Sequence, residues 1–169
     1  MPVVNTWYNG FSPKERDDKY KVMCNLMAKG ELPTASGPCA LCGDPEVPVE
    51  YHDEDYGEPF LWNEPAVFVL CHHCHVHKIH TRFQHPAVWN AFIAHVRRGG
   101  YAREWNEPSI KEEIAAYRAA IEHKHGEVLP LGELRPYKRI VGTEWFANLR
   151  MDPESLMDPA ARPRGPADR

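Results

Sequence analysis

With 169 residues, 43% hydrophobic and 26% charged, the chain has the composition of one folded globular domain and not of an extended disordered polymer. The formal charge of −4 excludes a uniformly basic nucleic-acid surface, yet residues 1–77 hold 5 Lys/Arg against 12 Asp/Glu and residues 78–169 hold 15 against 12, so cations concentrate late in the chain. Apolar runs such as Ala66 to Cys71 fall far short of the ~18–20 residues of a spanning helix, and Met1 to Asn5 lacks a basic, apolar leader pattern, which gives a cytoplasmic reading without membrane contact.

Ser12-Pro13-Lys14-Glu15 combines an N-cap serine, a proline at the first helical position and a capping-box glutamate, so a helix is predicted from there to Gly30. Its apolar positions Tyr20, Met23 and Met27 recur at helical spacing and predict a core-facing stripe, with Cys24 as a small core residue. Pro33 to Pro38 reads as a linker. Val47 to Tyr51 and Ala66 to Leu70 read as strands separated by an acidic loop bearing Pro and Gly. From Cys71 the pattern turns helical through His80. A further helix is predicted over Pro86 to Arg98, with Val88, Trp89, Phe92, Ile93 and Val96 inward and Gly99-Gly100 as its stop. A second capping box at Ser109 to Glu112 precedes Ile110, Ile114, Tyr117 and Ile121 on one face, ending at Gly126. Thr143 to Arg150 reads as a short helix around Trp145 and Phe146. The fold class is therefore α+β: one mainly helical domain over 1–150, with residues 151–169 as a flexible, proline-rich tail.

Five cysteines in a chain read as cytoplasmic point to metal ligation or free thiols more than to disulfides. Cys39-Ala-Leu-Cys42 and Cys71-His-His-Cys74 are two CxxC knuckles with 28 residues between them. Together they offer one tetrahedral thiolate site for a structural zinc, with a hairpin-sized insertion between the knuckles. Cys71 to His75 also matches the CxxCH haem-attachment pattern, but that reading leaves the upstream pair without a role. Five of the ten histidines lie between His72 and His80, and imidazole serves both as a metal ligand and as a general base. His52 lies among Glu50, Asp53, Glu54 and Asp55.

Residues Cys39 to His80 resemble the HNH endonuclease family, whose ββα-metal core has a histidine after its first strand and a helix introduced by CxxCH. His52 stands 19 positions before Cys71, the family's spacing in four-cysteine members, and His75 and Lys78 match its CHxxK pattern. The resemblance implies a zinc-stabilised ββα-metal core at about 39–80 within additional helices. It also implies His52 as the base that activates water, His75 as ligand of a catalytic divalent ion such as Mg²⁺, and the four cysteines on a separate zinc. Tyr51 stands where the family has Asp or His, so Asp53 or, by preference, Asp55 would supply the missing ligand. Ala66 stands where the family has its asparagine. His80 is a further candidate ligand, although five residues at about 100° each put it about 140° round an α-helix from His75, whereas His77 and His80 share a face.

The activity implied is hydrolysis of nucleic-acid phosphodiester bonds, with DNA as the expected partner and Lys78, Arg82, Arg97 and Arg98 as expected phosphate contacts. The alternative is a zinc-binding module that docks on nucleic acid or protein without catalysis, through Tyr51, Tyr56, Phe60 and Trp62.

Overall fold

The computed structural model describes residues 6–97, 99–106, 111, 112, 115 and 145–162. Arg98 lies outside them, as do Ile110, Ile114, Tyr117 and Ile121 of the helix predicted after Ser109. Among the described residues no helix is long and apolar enough to cross a membrane.

Helix α1 spans Pro13–Ala28 and begins as its capping box dictates: Glu15 N donates to Ser12 Oγ and Ser12 N donates to Glu15 Oε2. Lys29 caps its C-terminus, and Gly30 follows at φ 73°, a backbone conformation that glycine adopts without a Cβ penalty. The stripe predicted to face the core does not join it: Tyr20 is exposed, Met23 and Met27 are half-buried and Cys24 is exposed, whereas Lys19 is fully buried. Lys19 Nζ lies 2.7 Å from Asp53 Oδ1 and donates to the Asp55 carbonyl at 2.6 Å. The helix is thus anchored by a buried ammonium against the end of the hairpin, which turns its apolar stripe toward a groove.

Strands β1 (Val49–Asp53) and β2 (Val67–Cys71) pair antiparallel, His52 opposite Phe68 and Val49 opposite Cys71. A three-residue helix α2, His72–Cys74, continues directly into a π-helical turn over His75–Ile79. Helix α3, Pro86–Arg97, buries Trp89, Phe92, Ile93 and Val96 as its periodicity predicts. These side chains form the main core with Leu41, Phe68, Leu70, Ile79 and the four knuckle cysteines. Trp145, in a 3₁₀ turn over Trp145–Asn148, stacks on Phe68 at 3.9 Å between ring centroids.

A second apolar cluster joins Tyr8, Phe11, Tyr56 and Phe83, with Leu156 packed against it. Residues 153–156 and 159–161, inside the stretch read as a tail, form 3₁₀ turns that pack on the N-terminal segment. Gly10 N donates to the Leu156 carbonyl at 3.1 Å, and Arg162 pairs with Glu15 at 2.7 Å. Gly10 has φ +81°, and a Cβ there would stand 2.4 Å from the Asp158 carbonyl. Composition alone favours a loose tail, but Asp152 and Asp158 cap these short turns through their side chains and give the backbone local partners.

Candidate metal centres

The first centre is built by the two knuckles. The Sγ atoms of Cys39, Cys42, Cys71 and Cys74 all lie within 4.8 Å of one another, and all four residues are buried. Ala40 N donates to the Val69 carbonyl at 2.8 Å, fixing the first knuckle to β2. Gly43 closes that knuckle at φ 74° and its N–H donates to the Cys39 carbonyl at 2.7 Å. Asp44 braces the turn by accepting from Glu46 N at 3.1 Å and from Arg103 at 3.2 Å. Hydrogen bonds from the other three thiols push the Cys39 thiol down, while the same crowding pushes Cys42 up and burial pushes Cys74 up. Four sulfurs this close cannot all be thiolates without a cation among them, and a soft divalent ion such as zinc satisfies the set. The residues therefore fit the structural zinc expected from the spacing.

The second centre is a cluster of imidazoles. One ring nitrogen from each of His52, His75 and His80 lies within 4.8 Å of the others, and the ring centroids are 5.0 Å (His52 to His75), 5.3 Å (His52 to His80) and 4.7 Å (His75 to His80) apart. His80 joins because the backbone is not α-helical here. The His80 N–H donates to the His75 carbonyl at 3.2 Å, closing an i→i+5 turn that brings position 80 back over position 75. The 3.6-residue repeat, which pairs His77 with His80, does not apply.

Strand alternation supplies the partners. Glu50, His52 and Glu54 project to one side of β1 and its continuation, with period two. Glu50 Oε1 lies 2.8 Å from His75 Nδ1 and 3.2 Å from His72 Nδ1. Glu54 Oε1 lies 2.6 Å from His52 Nε2. His52 Nδ1 is left buried and without a hydrogen-bond partner, in a ring whose centroid lies 5.0 Å from that of His75 and 5.3 Å from that of His80. A carboxylate on the outer nitrogen of an imidazole whose inner nitrogen is free is the arrangement that orients histidine ligands around a metal ion. Burial and the neighbouring imidazoles lower the pKa of His80, and burial with His52 brings His75 down to about 4 against the pull of Glu50, so both rings are neutral at pH 7 and able to donate a lone pair.

Glu54 is itself held on every side. Its carboxylate accepts from Tyr8 Oη at 2.6 Å and Asn9 Nδ2 at 3.1 Å, and lies 3.4 Å from an Arg82 guanidinium nitrogen. Arg82, fully buried, also donates to the carbonyls of Ile79 at 2.8 Å and Arg150 at 2.9 Å and to the Tyr8 hydroxyl. Burial raises the Glu54 pKa, but Arg82, His52 and Tyr8 outweigh it and hold the carboxylate below its usual range. Period-two alternation of Glu50, His52 and Glu54 was legible in the sequence. The Tyr8, Asn9 and Arg82 partners of Glu54, 46, 45 and 28 residues from it along the chain, were not.

Several expected site residues take other roles. Asp53 and Asp55 alternate with Tyr51, on the face opposite His52, and neither joins the imidazole cluster. Asp53 pairs with Lys19, and Asp55 Oδ1 accepts from Gly57 N at 2.8 Å, closing a local turn. Tyr51 donates to the Pro33 carbonyl at 3.0 Å. Arg82 and Lys78, expected as phosphate contacts, are both buried: Arg82 faces Glu54 at 3.4 Å, and the Lys78 ammonium lies 4.5 Å from the Trp105 ring centroid and 5.4 Å from that of Phe92. Arg97 is exposed at the end of α3, its guanidinium 5.9 Å from the Phe146 ring centroid. Of the docking aromatics, Tyr56 is buried in the second apolar cluster, while Phe60 and Trp62 meet edge to face at 6.2 Å.

His75 and His80 line a groove of about 930 Å³ between α1 and β1, and His52 lies behind them. Compared with known proteins, the chain matches no family model, no curated protein and no solved structure. Fold and sites define an α+β protein with a Cys₄ cluster suited to zinc and a separate three-histidine cluster opening on a groove.

Proposed function

We propose that the protein is a metal-dependent hydrolase of nucleic-acid phosphodiester bonds, similar to the HNH endonucleases, with the cysteine cluster as its structural zinc site and the histidine cluster as its reaction centre. One observation carries the reading: His52, His75 and His80 each bring a ring nitrogen within 4.8 Å of the others, while Glu54 and Glu50 hold His52 Nε2 and His75 Nδ1 and His52 Nδ1 is buried without a partner. A divalent ion bound there would polarise a phosphoryl oxygen and make water a better nucleophile. Three imidazoles suit zinc, cobalt or nickel better than the oxygen-seeking Mg²⁺.

Within this centre we assign His52 to the ion's ligand set. A residue with no exposed surface, behind the histidines that line the groove, supports a ligand role better than proton exchange with a substrate. Glu54, Tyr8, Asn9 and Arg82 fix the His52 tautomer so that Nδ1 keeps its lone pair. Glu50 does the same for His75, leaving Nε2 to the centre.

The test is metal content together with hydrolysis. Wild type is expected to hold two zinc equivalents and to cleave an oligonucleotide. His52→Ala and His80→Ala are expected to hold one and to cleave at least ~100-fold more slowly. A His52→Ala protein that keeps two equivalents and loses activity would return His52 to the role of base. A second reading, a zinc-stabilised docking module without catalysis, is favoured by the burial of Lys78 and Arg82, which removes two phosphate contacts. Two bound metals with no hydrolysis of any diester would establish it.

A further inference from the structure

The groove beside the histidines differs on its two sides from what a duplex requires. A protein that grips double-stranded DNA typically neutralises about 6–10 phosphates with Lys and Arg. Among the described residues the lining cations are Arg16 and Lys21, against the carboxylates of Asp17, Glu50 and Asp53. Lys21 forms an exposed i,i+4 pair with Asp17, and Arg16 lies over the Tyr8 and Tyr56 rings and donates to the Thr6 carbonyl at 2.6 Å, its Nε buried without a partner. The remaining wall is apolar and aromatic, formed by Tyr20, Met23 and Met27 of α1 facing Tyr51 of β1. Tyr20 is 55% exposed, so its ring is accessible from the groove, and polarizable methionines adapt to flat ligands.

Resting on the hydrolase reading above, we infer that the groove takes a short unpaired nucleic-acid segment: one phosphodiester reaches the histidine centre, and the adjoining base lies on the α1 wall. The groove volume of about 930 Å³ is at the upper end of small-ligand sites and accommodates a short single-stranded segment. Base stacking on aromatic and apolar side chains tolerates any sequence, because every base has a π-face. With a single phosphate drawn to the centre, binding has a shallow dependence on salt.

The experiment uses the full zinc-loaded chain and fluorescence anisotropy with a 12-nucleotide single strand, its duplex, and a labelled dinucleotide. Expected are single-strand binding at least ~10-fold tighter than duplex, a salt slope near about −1, and dinucleotide binding within about tenfold of the 12-mer. Tyr20→Ala, at an exposed position that leaves folding intact, and Met23→Glu are each expected to weaken single-strand binding about tenfold with metal content unchanged. Equal or tighter duplex binding, a slope of about −6 or steeper, or full binding by both variants would overturn the inference. So would a dimer in sedimentation that Met23→Glu dissociates, since a second copy would then cover the wall. If single strands bind as expected but none is cut, the hydrolase reading fails while the groove assignment stands.

Discussion

Removing Arg82 tests the buried network that aims His52. Arg82→Met keeps most of the side-chain volume and deletes the charge that faces Glu54 at 3.4 Å, with both side chains almost fully buried, at 0% and 7% exposed. Breaking a buried pair by removing one partner costs about 3–5 kcal/mol, because the other charge is left uncompensated in a poorly solvated site. That is a large part of the roughly 5–15 kcal/mol that holds a domain of this size, and corresponds to a fall of about 6–20 °C in Tm. The exposed Lys14–Asp18 pair is the control: Lys14→Met is expected to leave the unfolding midpoint where it is in wild type.

The pH dependence carries a sign. In wild type the folded pKa of Glu54 is depressed, so its contribution is present above the unfolded value of about 4.3 and is lost as pH falls through the folded value. In Arg82→Met, burial is no longer offset by the guanidinium and the folded pKa rises. The variant's deficit is then largest at neutral pH and shrinks as pH falls toward about 4. Urea unfolding at pH 7, 5.5 and 4, with zinc occupancy matched, measures both effects. Equal small losses for Arg82→Met and Lys14→Met, or a deficit that widens in acid, would refute the argument.

Chelation of the zinc-loaded protein is expected to lower Tm and expose the knuckle thiols to a thiol reagent, since binding at four buried cysteines is coupled to folding; unchanged stability after complete metal removal would count against the structural site. Asp55→Asn is expected to leave metal content unchanged and to cost no more than about 1 kcal/mol, because its carboxylate closes a turn at Gly57; loss of one metal equivalent would restore Asp55 to the ligand set. Gly10→Ala should destabilise by more than about 1 kcal/mol, given φ +81° and the Asp158 carbonyl 2.4 Å from the added Cβ, and should speed proteolysis near residue 156; a neutral change would show that the N-terminal turn does not hold the C-terminal contact.

Local rules determined much of this protein from sequence. The capping box at Ser12, the periodicity of α3 and the two CxxC spacings each depend on residues close in the chain, so helix start, core face and cysteine pairing could be read directly. Three features depended on tertiary structure. The orientation of α1 is set by a buried Lys19 reaching Asp53, a contact that overrides a weak apolar stripe and leaves Cys24 exposed. The membership of His80 in the histidine cluster depends on one i→i+5 turn, invisible to a 3.6-residue repeat. The fate of each charge depends on what surrounds it: Arg82 and Lys78 read as phosphate contacts until Glu54, Tyr8 and Trp105 are brought against them. Residue type and spacing fix which ligands the chain carries, whereas long-range packing decides which of them meet, and with their lone pairs pointing where.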